Sequence, residues 1–208
     1  MILAFLSGLL SNFTGWGRRK MKTLIAICVI VLSAAAAAAA KDSDPWLGIF
    51  KSEDGFLFQG HLERTPFSFN IPGDRINVAQ QEGSDDSTAR TLIDDMFFSV
   101  ASVRKSEFPK ANPDILISYR NWEQQYEKEQ LDGVVLSDLD VCKSAPLRHE
   151  SWEMRPRNIK APPQVFMATE VGNYILVIGS AFAHADDREK VLSKFSQLCK
   201  TFKRGQTK

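Results

Sequence analysis

Residues 164–202 decide the fold of this chain and read QVFMATEVGNYILVIGSAFAHADDREKVLSKFSQLCKTF. Within them, two apolar runs at 165–169 and 174–182 flank the sequence Val171-Gly172-Asn173. A glycine and an asparagine between two apolar runs are typical of a tight β-turn, because both residues tolerate positive φ angles. The stretch therefore predicts a β-hairpin, and it carries the densest core signal in the sequence.

The same stretch continues into a predicted helix. Its apolar side chains recur at the spacing of one helical face: Val191, Leu192, Phe195, Leu198, Cys199 and Phe202. Asp186 precedes the helix and Lys200 lies near its end, and both charges suit the helix dipole. We expect this stripe to pack against the sheet that contains the hairpin, which buries Cys199.

Short apolar segments earlier in the chain predict strands. Runs at 46–50 and 56–62 are separated by Glu53-Asp54-Gly55, which indicates a hairpin. The next segment alternates apolar with polar residues, as a half-buried strand does, with its apolar members at Phe67, Phe69 and Ile71. Residues 91–104 are apolar on both alternating sides, so we expect one central strand that is covered on both faces.

A first helix is expected between these strands and the rest of the sheet. Asn112 can cap it, Pro113 fits its first turn and Gly133 lies just past its end. Its aromatic and apolar face has members at intervals of four, three and four: Ile115, Tyr119, Trp122 and Tyr126. Its charged residues are expected on or near the solvated side: Glu123, Glu127, Lys128 and Glu129.

The order of elements predicts the fold class. Residues 134–142 are expected to be extended, and 147–155 alternate with Trp152 and Met154 on one face. The basic, proline-rich segment 156–163 cannot continue a sheet. Strands, a helix, further strands and a last helix together predict an α+β fold, in which two main helices pack on a mostly antiparallel sheet.

The first forty residues predict export. The basic segment 18–22 precedes a nine-residue apolar run, 24–32, and small residues follow at 33–40. This order is typical of a secretory signal peptide, whose true start is either Met1 or Met21, and its apolar core is too short for a confident membrane span. The general and twin-arginine export routes both stay open. We expect a periplasmic or secreted protein with a mobile arm at 41–45, a single domain at 46–202 and a tail at 203–208.

The charge balance argues against nucleic-acid binding. Four of the 26 basic residues and none of the 25 acidic residues lie within the first forty positions. The remainder therefore holds 22 basic and 25 acidic side chains, a formal net charge of −3. A weakly acidic domain lacks the basic surface that binding to phosphate backbones requires.

Two cysteines remain after the predicted cleavage, because Cys28 lies in the signal peptide. An even pair in an oxidising compartment predicts a disulfide between Cys142 and Cys199. A redox pair and metal ligands are the rival interpretations, but the sequence has no C-x-x-C motif and its histidines are scattered at His61, His149 and His184. No metal and no cofactor are predicted. No catalytic motif is present either, so no catalytic residue and no enzymatic role are assigned.

Two groups of residues, one basic and one aromatic, suit a binding site. Basic side chains surround Trp152 and the proline-rich segment, and this possible site for a carboxylate, a phosphate or a partner's acidic edge comprises Arg148, Trp152, Arg155, Arg157 and Lys160. The alternative is an aromatic pocket between the first helix and the sheet, formed by Trp122, Tyr126 and Trp152. Such a pocket would suit a carrier of small molecules or a hydrolase.

The segment FSFNIPG at 67–73, followed by a strand, a helix after a proline loop, a meander with a Gly-Asn hairpin and a closing helix, resembles the PsbP-like α/β/α sandwich family. The resemblance extends over residues 46–202 in the order of elements. It implies an extracytoplasmic accessory protein with a non-catalytic binding or assembly role, whose partner in the cell envelope is unknown. It brings no catalytic motif, so no functional residue is carried over.

Overall fold

The structure is a computed structural model of the chain, and it describes residues 46–78, 89–108, 114–130, 133–143, 145–156, 162–182, 184 and 186–205. Several predicted features lie outside the described residues: the signal peptide at 1–40, the arm at 41–45, the cap at Asn112 and Pro113, and the basic residues Arg157 and Lys160. The domain boundaries therefore stay predictions.

The described residues form strands and two α-helices in the order that follows. The strands are β1 (Trp46–Ser52), β2 (Gly55–Leu62), β3 (Thr65–Ile71), β4 (Ile76–Val78), β5 (Ala89–Ile93), β6 (Met96–Arg104), β7 (Val134–Leu139), β8 (His149–Pro156), β9 (Gln164–Val171), β10 (Tyr174–Ala181) and β11 (Lys203–Arg204). The helices are α1 (Ile115–Gln130), between β6 and β7, and α2 (Asp187–Thr201), between β10 and β11. A short 3-10 helix, Lys105–Glu107, follows β6.

The described strands pair into two antiparallel sheets. A four-stranded sheet has the order β1-β2-β3-β11, and a seven-stranded sheet has the order β4-β5-β6-β10-β9-β8-β7. The predicted tail thus begins with β11, in which Lys203 pairs with Ser68 of β3. With two helices packed on antiparallel sheets, the predicted α+β class is confirmed.

The predicted hairpin is confirmed as β9 and β10, near the middle of the seven-stranded sheet. Its two strands pair from Tyr174 opposite Val171 to Ala181 opposite Gln164. The turn requires Gly172, which has a φ of +57° and lies so close to Thr65 that an added Cβ atom would be 2.6 Å from the threonine Oγ1 atom. A larger residue would be strained by its backbone angle and would collide with β3.

The two helices cover opposite faces of the seven-stranded sheet. Trp152 of β8 contacts Tyr119 of α1, with ring centroids 6.2 Å apart. The next residue, Glu153, accepts hydrogen bonds from Arg188 of α2. Because successive strand residues point to opposite faces, α1 and α2 must lie on different sides of β8.

The main core lies on the α2 side, between the helix and the two sheets. The predicted stripe of α2 is buried at Val191, Phe195, Leu198 and Cys199. Aromatic rings join this helix to the four-stranded sheet, because Phe202 stacks on Phe69 with centroids 5.8 Å apart. Phe69 in turn stacks on Phe58 of β2 at 5.0 Å. The alternating segment at 67–71 is therefore a half-buried strand, as its pattern predicted.

The prediction of one strand over 91–104 is wrong. The segment is a hairpin in which β5 and β6 are joined by Asp94 and Asp95, with φ angles of +50° and +66°. The Oδ1 atom of Asp94 accepts hydrogen bonds from the backbone N–H groups of Asp74 and Arg75, at 3.0 and 3.1 Å. The sequence pattern does not reveal this turn, because apolar residues continue on both sides of the two aspartates.

Candidate functional site

The described members of the predicted basic patch do not form an open cationic surface. Arg148 lies just before β8 and pairs with Asp114 and with Glu150, the latter at 3.3 Å. Arg155 lies at the far end of β8 and donates to Glu153 at 2.7 Å. Trp152, between them, is only 1% exposed. An anion or partner site that comprises these three members of the patch together with residues 157 and 160 stays a prediction.

Glu153 is the centre of a buried ion-pair network. Its carboxylate accepts hydrogen bonds from Arg188 of α2 at 2.9 Å and from Arg155 at 3.0 Å. Burial alone would raise the pKa of Glu153, but the hydrogen bonds from Arg188 and then Arg155 outweigh it and lower that pKa. These bonds attach α2 to β8, which is a structural role.

The helix α1 carries a different cluster, which we call the α1 acidic cluster: Tyr119, Glu123 and Glu127. The prediction that both glutamates lie on or near the solvated side is wrong, because Glu123 is 2% exposed and Glu127 is 3% exposed. The three residues follow one another at intervals of four, so they share one face of the helix. That face turns towards the sheet.

The α1 acidic cluster is incompletely hydrogen-bonded. The Tyr119 hydroxyl donates to the Oε1 atom of Glu123. The Oε2 atom of Glu123 and the Oε1 atom of Glu127 are buried and have no hydrogen-bond partner among the described residues. Buried polar atoms are nearly always paired in proteins, so two unpaired oxygens on neighbouring turns are unusual.

Burial changes the protonation of these groups. It raises the pKa of Glu123, an effect that the hydrogen bond from Tyr119 partly offsets. Burial, and then the charge of Glu123, raise the pKa of Glu127 to about 7. Burial and the neighbouring carboxylates also raise the pKa of Tyr119. The pair of carboxyl groups therefore retains a proton close to neutral pH.

Aromatic rings surround Tyr119, the first member of the cluster, on the sheet side and along the helix. Trp152 stacks on Phe166 of β9 with ring centroids 5.5 Å apart. Phe108 contacts the ring of Tyr119 at 5.1 Å and that of Trp122 at 5.2 Å. The predicted aromatic row continues as Trp122 stacked on Tyr126, at 5.8 Å. Tyr119 and Trp152 are fully buried, whereas Trp122 and Tyr126 are half-buried.

Ion pairs fasten the other edge of α1 to the sheet. Arg120 donates to Glu150 of β8 at 2.8 Å and lies 3.5 Å from Asp138 of β7. Gln124, one turn later, donates to the same aspartate at 3.3 Å. These contacts fix the rotation of α1 about its axis, and they hold the acidic cluster against the sheet.

The predicted disulfide is present between Cys142 and Cys199, whose Cα atoms are 5.5 Å apart. Cys199 is buried on α2, and its Sγ atom lies 3.3 Å from the Sδ atom of Met167 on β9. Cys142 is half-buried in the turn after β7. The bond therefore attaches that turn to the helix that closes the main core.

The histidines do not assemble a metal site in the described part of the chain. There, no group of three or more histidine, cysteine, aspartate or glutamate side chains is arranged to hold a metal ion. His149 contacts the ring of Phe202 at 5.6 Å, and burial lowers the pKa of its imidazole to about 4. This histidine is therefore neutral at physiological pH.

Within the described residues, neither α1 nor α2 is long and apolar enough to cross a membrane. This finding covers the two helices of the described fold only, and the predicted signal peptide lies outside it.

Comparison with known proteins finds a similarity to a solved structure. No family model and no curated protein matches the sequence. Among solved structures, the solution structure of cyanobacterial PsbP (CyanoP) from Synechocystis sp. PCC 6803 is similar, with a TM-score of 0.45 and 13% sequence identity over 83% of this chain and 98% of that chain. This similarity is to a PsbP protein, the family that the segment at 67–73 resembles, and no role is carried over from it.

Proposed function

We propose that this chain is an exported accessory protein, periplasmic or secreted, that binds a protein partner in the cell envelope and catalyses no reaction. The observation that carries the location is the disulfide between Cys142 and Cys199. Such bonds form and persist in oxidising compartments and are rare in the cytosol. The bond closes a long loop across the main core, so the fold depends on an environment that keeps it oxidised.

The contacts of the described site give its charged groups structural roles and favour no catalytic one. The charged groups around β8 are committed to ion pairs that hold helices on the sheet, as Arg188 and Arg120 do. The phenol of Tyr119 and the carboxyl group of Glu123 are buried. The pKa values of both groups are raised, so both keep their protons to a higher pH than usual. A nucleophile needs a nearby base that can take its proton. The carboxyl groups of Glu123 and Glu127 are poor bases for the phenol of Tyr119, because the pKa of the phenol is raised as well.

The location is tested by expressing the full chain with a C-terminal tag and separating the cytoplasm from the envelope and medium. We expect the tagged protein outside the cytoplasm, cleaved before Lys41, with an intact mass that shows both remaining cysteines oxidised. A matched control carries Ile25→Arg in the apolar run of the signal peptide and should stay inside, uncleaved and reduced. Cytoplasmic wild-type protein with two free thiols contradicts the proposal.

The binding role is tested by cross-linking in intact cells, followed by purification under denaturing conditions. We expect one envelope protein to be captured at a defined ratio, and the retained Ile25→Arg variant to lose it. An exported protein that captures no partner under any growth condition contradicts the binding role and leaves the location unaffected.

A second candidate function is a carrier of a small molecule, and the unpaired oxygens of Glu123 and Glu127 favour it. A ligand with an ammonium group or several hydroxyl groups would supply the donors that these oxygens lack, and the half-buried rings of Trp122 and Tyr126 on the same helix would contact its apolar part. Amines are the sharper probe, because an ammonium group would stabilise the ionised carboxylates.

The carrier is tested by thermal-shift measurements with a panel of primary amines and sugars, since a ligand that binds the folded state raises the melting temperature. Glu123→Gln and Glu127→Gln should abolish an amine-induced shift. Glu129→Gln, on an exposed position of the same helix, is the matched control and should retain it. The absence of any shift across the panel contradicts this candidate.

A further inference from the structure

The first strand is an open edge of the four-stranded sheet. Among the described residues, β1 pairs with β2 and has no neighbour on its other side. Proteins commonly protect such edges with charges, prolines or bulges, because unpaired backbone groups can pair with another chain. The sequence of β1, WLGIFKS, has no acidic residue, no proline and a single lysine, Lys51. Its long apolar edge is therefore suited to strand addition.

The direction of the free backbone groups follows from the hairpin. A two-residue turn joins Ser52 to Gly55, so these two residues form the closing hydrogen-bonded pair. Backbone groups alternate in direction along a strand, and the N–H and C=O groups of Leu47, Ile49 and Lys51 consequently point away from β2. The same alternation holds on β3, where the C=O group of Pro66 points away from β2 and accepts from Gly205 at 2.9 Å.

The side chains of β1 divide between its two faces. Leu47 and Ile49 pack against the main core. Phe50 points to the outer face and is 46% exposed, which makes it one of three exposed large apolar side chains among the described residues. Gly48 shares that outer face and leaves a gap two residues before the exposed ring.

We propose that a second copy of this chain pairs with β1 along this edge, antiparallel and about a two-fold axis through Ile49. In this register Ile49 lies opposite Ile49 of the other copy, and Leu47 lies opposite Lys51. The outward backbone groups of all three residues find partners, and the full length of β1 overlaps, from Trp46 opposite Ser52 onwards. Shifting the register by two residues keeps the backbone pattern but shortens the overlap.

The same register is favourable for the side chains. Phe50 of each copy lies across from Gly48 of the other, so that each ring covers the gap that the glycine leaves. Aromatic residues across from glycines are a known device for stabilising edge pairs. The two Lys51 side chains lie at opposite ends of the paired strands, which avoids like charges opposite each other. An edge that complements itself about a two-fold axis is what a homodimer requires.

The interface is small, so we expect a reversible dimer whose population rises with concentration. Analytical ultracentrifugation of the exported wild-type protein over a wide concentration range measures this equilibrium. Phe50→Glu should weaken the dimer by at least about tenfold, because it removes the aromatic contact and places a charge on the edge. Val135→Glu is the matched control, since Val135 is 42% exposed on the edge strand of the other sheet. It should leave the dimer unchanged.

The register is tested independently by cysteine cross-linking. Equal amounts of a Gly48→Cys chain and a Phe50→Cys chain are mixed and mildly oxidised. The mixture should form a disulfide-linked dimer faster than either variant alone, because positions 48 and 50 face each other across the axis. This measurement also decides the matter if Phe50→Glu does not fold.

Four results overturn the proposal. The first is a wild-type protein that is monomeric at every concentration. The second is a dimer that Phe50→Glu does not weaken or that Val135→Glu weakens equally. The third is equal cross-linking of the mixture and of the single variants. Capture of a strand from a different protein on β1, with no self-association, also counts against a second copy as the occupant.

Discussion

Glu127 lies one helical turn after Glu123 on the face of α1 that is turned towards the sheet, and each keeps one buried carboxyl oxygen without a described partner. Two carboxyl groups so placed disfavour the state in which both are ionised. The folded state therefore binds a proton more tightly at Glu127 than the unfolded chain does, and the pKa of this group rises to about 7. Stability must then depend on pH.

The first prediction concerns Glu127→Gln. A raised folded pKa means that the unfolded state releases the proton first, so stability falls as the pH rises from about 4.5 to 7 and is then constant. The glutamine variant cannot release a proton, and we expect it to be more stable than wild type by about 1–3 kcal/mol at pH 8. At pH 4, below the unfolded pKa, the two proteins should be nearly equal. Urea unfolding at both pH values measures the difference.

The control for this prediction is Glu129→Gln, because Glu129 is exposed on the same helix. Its free energy of unfolding should change by less than about 0.5 kcal/mol at either pH. If Glu127→Gln is less stable than wild type at pH 8, the carboxylate is accepting hydrogen bonds rather than lacking them, and the cluster is stabilising instead of strained.

The second prediction concerns the disulfide. Cys142 and Cys199 are 57 residues apart in sequence, and cross-linking them restricts the unfolded chain by about 4 kcal/mol in the loop-closure treatment. Replacing both by alanine should lower the free energy of unfolding by roughly 3–4 kcal/mol. Wild-type protein unfolded in the presence of a reductant should match the double variant. An equal midpoint for oxidised and reduced wild type would show that the bond contributes nothing.

The sequence could predict the elements that local patterns determine. The hairpin of β9 and β10, the buried stripe of α2 and the pairing of Cys142 with Cys199 follow from periodicity, turn chemistry and the number of cysteines. The strand at β3 followed from alternation alone. None of these depends on how distant parts of the chain are rotated against one another.

The α1 acidic cluster could not be predicted in the same way. The aromatic row from Ile115 to Tyr126 predicts one apolar direction, and this prediction puts the glutamates on or near the solvated side. Arg120 pairs with Asp138 of β7 and Glu150 of β8, and Tyr119 contacts Trp152, so the buried side of the helix is set by contacts between distant parts of the chain. The only signal in the sequence was the interval of four that links the residues of the cluster, and it says nothing of which edge faces inwards.

The third prediction separates the two arginines that hold Glu153. Arg188 makes three hydrogen bonds to this buried carboxylate and is itself largely covered, whereas Arg155 is half-exposed. We expect Arg188→Ala to lower the free energy of unfolding by about 3 kcal/mol, because it leaves a buried charge poorly paired. Arg155→Ala should have a clearly smaller effect.

Acid should reduce the difference between wild type and Arg188→Ala. The hydrogen bonds lower the folded pKa of Glu153, so its stabilising contribution is present above the unfolded pKa and is lost as the pH falls through the folded one. Unfolding curves at pH 7 and at pH 3 measure this convergence. Equal losses for the two arginine variants at pH 7 would contradict the assignment of Arg188 as the main partner.

The fourth prediction concerns the unexpected turn between β5 and β6, where the two aspartates have different roles. Asp94 accepts two backbone hydrogen bonds and pairs with Lys194 of α2 at 2.9 Å, which attaches the helix to this turn. Asp95 is exposed and adopts a φ of +66°, a conformation that glycine adopts without strain. Asp94→Ala should therefore lower the free energy of unfolding by about 2–3 kcal/mol, since it removes charged acceptors from a partly buried site.

Asp95→Gly is the matched variant, and its stability should lie within about 1 kcal/mol of wild type, because relief of the backbone strain offsets the added freedom of the unfolded chain. Lys194→Met removes the ion pair but keeps the apolar stem, so it should reproduce only part of the loss caused by Asp94→Ala. Thermal unfolding of the three variants under one condition gives the order. If Asp95→Gly is as damaging as Asp94→Ala, the side chain of Asp95, which pairs with Arg75 at 3.0 Å, holds the turn as firmly as the side chain of Asp94 does.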